Sequence, residues 1–133
     1  MSNVKQQLAA ITARTMKNAK EVFIASGIRV GNQIITASPV DKGIFRNAWN
    51  TTVDGISYEQ RQNENKSGAD SINDLTTTFA GAELGGFVTF NNPMPYGARL
   101  EYDGWSAQAK NGFVRINTAK WKSIVQEEVL KRR

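Results

Sequence analysis

The sequence predicts an α+β fold, and three patterns carry that expectation. A helical stripe runs from Val4 to about Ala37 without a proline. Two short strand patterns, Trp49–Val53 and Phe87–Phe90, lie far apart in the middle, and a second helical stripe from Val114 to Leu130 closes the chain. The 133 residues allow one domain with a modest core. No internal repeat or second domain is visible, so residues 1–133 read as a single domain.

The first stripe, residues 4–37, recurs at steps of three and four through Val4, Leu8, Ile11, Thr15, Ala19, Val22, Ser26, Val30, Ile34 and Ala37, and must stop at Pro39. A continuous helix of that length spans about 50 Å, whereas a compact domain of this size is only about 36 Å across. Either the helix bends at Gly27 or Gly31, or one end overhangs and packs on a neighbouring subunit. These glycines, four apart, either admit a close backbone or merely weaken the helix. Pro39, Asp41 and Gly43 then form a turn, with Asp41 the expected cap of a short helix through Ile44, Phe45, Arg46 and Ala48.

Trp49, Thr51 and Val53 are expected on one face of a strand. Residues 58–69 follow, and Glu59 to Gly68 holds no apolar side chain. Such a stretch offers no burial to offset its ordering entropy, so a mobile loop is expected, ordering against a partner. Ile72, Leu75 and Phe79 are spaced for a helix from Asp70 to about Ala82, with Asp70 as its cap. Gly85-Gly86 precedes the second strand, whose two aromatics are expected on one face. A short helix at Tyr96–Tyr102, a turn at Asp103-Gly104 and a loop to Gly112 lead to the last helix, residues 114–130, with Trp121, Ile124, Val125 and Val129.

Composition narrows function mainly by exclusion. There is no cysteine and no histidine, which removes disulfides, thiolate clusters, the cysteine nucleophile and the commonest general base and zinc ligand. No cofactor or metal is expected. The chain begins without the apolar core of a signal peptide and holds no membrane-length apolar run, so a soluble protein without a membrane partner is expected. The formal charge of +5 permits nucleic-acid contact without requiring it. Lys131, Arg132 and Arg133 cluster at the end, where cations also complement a helix dipole.

Glu101 and Asp103 invite an acid–base or metal reading, but no further acid follows until Glu127 and Glu128, and turn acids are the better account. The glycines match neither a phosphate loop nor a dinucleotide fingerprint, and the serines lack a histidine to activate them. No enzyme activity is expected. Trp49 and Trp121 read as core anchors. Trp105, in a Gly- and Ser-flanked loop, reads either as an interface anchor or as core.

Two passages carry a resemblance. The first is Ser38-Pro39-Val40-Asp41-Lys42-Gly43-Ile44-Phe45-Arg46-Asn47-Ala48-Trp49. The second runs from Asn91-Asn92-Pro93-Met94-Pro95-Tyr96 through Leu100-Glu101-Tyr102-Asp103-Gly104-Trp105-Ser106 and on to Gln108, Gly112 and Arg115. In order and spacing they resemble the neck, or minor tail-component, family of lambdoid-type tailed bacteriophages, whose members are described as head–tail joining or tail-completion proteins. The chain departs from that pattern at Gly97, at Lys110 and at an inserted Asp103.

The resemblance implies a long N-terminal helix and a C-terminal helix packed on a small antiparallel sheet. It also implies a non-enzymatic virion protein, assembled in the host cytoplasm as a homo-oligomeric ring, expected to be a hexamer. Its partners would be other neck, portal-side or tail-tube proteins, with DNA passing through the ring unrecognised. The candidate contacts with subunits or partners are Gly27, Gly31, Arg46, Arg61, Lys66, Tyr96, Glu101 and Trp105. The structural turns and caps are Pro39, Asp41, Gly43, Asp103 and Gly104. The alternatives are a small basic DNA-binding protein without sequence preference, and a binding module that stays monomeric until it meets one partner.

Overall fold

A computed structural model describes residues 3–132. Arg133, part of the basic terminal cluster, lies outside the described residues. Helix α1 spans Val4–Ala37 and is opened by Asn3, whose side chain accepts from the Gln6 backbone while the Gln6 side chain accepts from the Asn3 backbone. This reciprocal pair satisfies two of the amides that a helix start leaves free. The helix ends at Ser38, which is extended, as a residue before proline must be. Arg46 reaches back and donates to the carbonyls of Thr36 and Ser38, closing the last turn.

Asp41 does not cap the turn that follows. That turn is a 3₁₀ segment, Arg46–Ala48, entered from Phe45 with no side-chain cap, and Asp41 is exposed. Gly43 has φ +91°, and a side chain there would run into the backbone of Asn65 and Lys66, so glycine is required twice over.

Strands β1 (Asn50–Val53) and β2 (Val88–Asn91) form an antiparallel pair, with Thr51 opposite Phe90 and Val53 opposite Val88. Phe90 stacks on Trp49 at 4.5 Å. Phe87 instead is exposed, so the two aromatics do not share a face. They are three residues apart, and side chains alternate along extended chain.

Helix α2 spans Ala69–Ala80 and starts from Gly68 in the left-handed region, not from an Asp70 cap. Asp70 occupies the first turn instead, where its charge suits the helix dipole. Helix α3 is Gly97–Tyr102, and a 3₁₀ turn at Ala107–Ala109 interrupts the expected loop, capped by Ser106. The closing helix is broken in two, α4 (Val114–Thr118) and α5 (Trp121–Leu130).

The core joins Ile34 and Ile35 of α1 to Phe45, Trp49, Leu75, Phe79, Met94 and Phe113. Helix α5 runs back along α1: Arg29 pairs with Glu127 and Glu128, and Arg132 with Glu21. Among the described residues, no helix is long and apolar enough to cross a membrane.

Candidate assembly surfaces

Half of α1 is bare. Every residue from Asn3 to Lys17 is exposed, including the apolar Val4, Leu8, Ile11 and Met16, whereas the buried positions of the helix begin at Ser26. Of the two sequence alternatives, bend or overhang, the structure takes the overhang. The 14 exposed helical residues project by about 21 Å.

Gly27 and Gly31 are packed on within the chain. They are where α2 crosses α1: a side chain at Gly27 would collide with the Phe79 ring, and one at Gly31 would come within 2.6 Å of Leu75. What comes close to the pair is side chains of the same chain, Phe79 and Leu75, where a close backbone was one of the two expectations.

Arg46 and Arg61 are likewise used internally. Besides closing α1, Arg46 donates to the Lys66 carbonyl. The Arg61 guanidinium donates to the carbonyls of Asn47 and Trp49 and to the Asn50 side chain. Buried Asn47 adds bonds to the Asn63 carbonyl and to Asp70, which holds the Asp70 carboxyl below its ordinary range. The polar segment 58–69 therefore lacks helix or strand over most of its length, but it is tied to the 3₁₀ turn and to β1. These polar bonds offset ordering entropy where apolar burial cannot. The Lys66 side chain is exposed.

Glu101 is used inside the chain. Only 5% exposed, it accepts from the backbone N–H groups of Phe113, Val114 and Arg115 and pairs with the Arg115 guanidinium at 3.1 Å. Burial pushes its carboxyl upward, but these bonds outweigh it and hold the group below the usual glutamate value. The carboxylate caps α4. Asp103 ends α3 and Gly104 takes φ +60°, as the expected turn requires.

Trp105 is a different matter. It is 59% exposed, with the Arg99 guanidinium 5.1 Å from its ring centre. Its ring borders a groove of about 400 Å³ lined by Pro39, Val40, Ile44, Phe45, Tyr96 and Leu100. Gln108, part of the second passage but given no role there, fixes one wall by bonding both the N–H and the carbonyl of Val40. The two passages singled out in the sequence thus meet at one groove, with Tyr96 packed on Phe45. Trp121, expected in the core, is instead 41% exposed.

No protein-family model, curated protein or solved structure matches the chain.

Proposed function

We propose that the chain is a structural subunit of a tailed-phage virion, acting as a ring at the head–tail junction or at the top of the tail. The observation that supports it most is the overhang of α1, an apolar-striped helix end with no partner in its own chain. The aromatic groove at Trp105 supports it too, since exposed aromatics beside pockets anchor protein partners. Both features suit a subunit completed by its neighbours, and neither suits catalysis. The resemblance carried by residues 38–49 and 91–115 supplies the virion setting.

The test is a phage lacking the gene. The expected result is filled heads and tails that fail to join, with the chain located at the junction when intact particles are imaged. Complete infectious particles without the chain would refute the reading.

One observation favours a second reading. From Asn3 to Lys17 the overhang carries Lys5, Arg14 and Lys17 and no carboxylate. A basic helix of this kind can track nucleic-acid phosphates, and its affinity would then fall steeply with salt. A virion subunit recognising protein would show no such dependence on DNA.

A further inference from the structure

The accessible surface of the chain is 8268 Å². A compact monomer of 14.7 kDa exposes about 6,900 Å². The excess of about 1,300 Å² is more than the ~800 Å² that each partner contributes to a stable interface. The bare first 14 residues of α1 contribute to it.

A second feature is unfinished in the opposite sense. Between α1, the sheet and the α4–α5 corner lies an apolar cleft of about 360 Å³. Its floor is Ile34, Trp49, Leu75 and Phe79, all buried, and Thr118 is the only polar residue among those lining it. Trp121 stands at its edge, which accounts for the exposure of a residue that the sequence placed in the core.

We infer that the overhang of one copy, through Val4, Leu8 and Ile11, fills this cleft in the next copy. This names the contact behind the homo-oligomer proposed above and rests on that part of the reading. Three observations carry it. Val4, Leu8 and Ile11 stand at steps of four and three, one face of a helix, and present aliphatic side chains to a cleft lined almost wholly by apolar ones.

Next, the overhang cannot serve its own cleft. Phe23 to Ile34 of the same continuous helix form one wall, and the helix carries residues 4–17 away from it. Finally, charge disfavours pairing two overhangs with each other, since Lys5, Arg14 and Lys17 would meet like charges. Because knob and socket are different surfaces of one chain, the contact is head-to-tail, and it closes into a ring when the rotation permits.

The natural absence of cysteine makes the test direct. Leu8→Cys and Thr118→Cys are both at exposed positions, so neither disturbs the core. The two full-length variants are mixed and treated with a short thiol cross-linker. The expected result is a covalent dimer from the mixture and a ladder of higher species from the double variant, with little product from either single variant alone. Leu8→Cys joining itself with equal yield, or no product at concentrations near 0.1 mM, overturns the inference. A parallel arm pairs Leu8→Cys with Ser106→Cys at the Trp105 groove. Capture there also overturns it, while leaving the oligomeric virion reading in place; absence from the virion would sink that reading and leave the contact standing.

Discussion

The Glu101 carboxylate accepts the backbone N–H of Phe113 at 2.6 Å, and so fixes where α4 begins. Two more amides and the Arg115 guanidinium converge on the same group. Replacing Glu101 by Ala strands three amides at a buried site and is expected to cost about 2–3 kcal/mol. Glu101→Gln keeps one acceptor oxygen and should cost about half as much. Urea unfolding measures both; equal effects would show that the charge, and not the acceptor geometry, holds the cap.

Low pH acts on the same group and on two others. Glu128, 3% exposed, is held below the usual glutamate value first by Lys131 and then, against its burial, by Arg132 and Arg29. Asp70 is lowered by its bonds from Asn47 and Asn63. A carboxyl whose folded pKa is depressed stabilises the fold fully above its unfolded value, about 4.3 for Glu and 3.9 for Asp. That contribution is lost as pH falls through the folded value. Stability should therefore be level above pH 5 and decline below about 4, and Glu128→Gln should flatten the decline. Denaturant midpoints between pH 3 and 7 provide the check.

Gly31 and Leu75 set the spacing of α1 and α2. Alanine favours a helix over glycine by about 1 kcal/mol, but overpacking a core costs about 1–3. Leu75 is fully buried and two of its methyl carbons lie within 2.7 Å of an added Cβ, so Leu75 must shift, and Gly31→Ala is expected to destabilise by about 1–2 kcal/mol. Combining it with Leu75→Ala should give a smaller loss than the two single effects added. Simple additivity would mean that the two sites do not touch.

How far the sequence was legible follows from which forces it displays. The α+β class, both strands and α1 were readable because periodicity reports which face is apolar. Length alone narrowed α1 to a bend or an overhang and did not choose between them. What stayed hidden was every role set by a long-range polar bond. Nothing local tells Glu101, a carboxylate ending a short helix, that its partners are residues 113–115. Nothing in an apolar-free loop tells Arg61 that backbone carbonyls of the turn and β1 await it. Trp121 misled for the complementary reason: its helical spacing is that of a core residue, while its surroundings are an open cleft.

Arg61 yields the test of the polar segment. Losing its guanidinium leaves the part-buried acceptors on Asn47, Trp49 and Asn50 without that donor. Arg61→Ala should cost about 1–3 kcal/mol and speed amide exchange across residues 58–67. If those amides already exchange at random-coil rates in the parent protein, the tethers do not hold in solution and the sequence expectation of mobility is the correct one.

Exchange along α1 is the sharpest measure of an unfinished subunit. A helical stretch of 14 residues without tertiary contacts is marginal in water, and here it is supported only by the Asn3 cap at one end and the packed half of the helix at the other. Dilute protein should show a gradient: fast exchange for the amides of residues 7–17, slow exchange for 24–37, which lie against α2 and α5. Assembly should erase it, because a docked overhang shields its backbone and opens only with the rest of the helix. The contrast depends on concentration, so one sample measured at micromolar and at near-millimolar strength contains its own control. A gradient that persists in the assembled ring would place the contact somewhere other than the leading turns of α1.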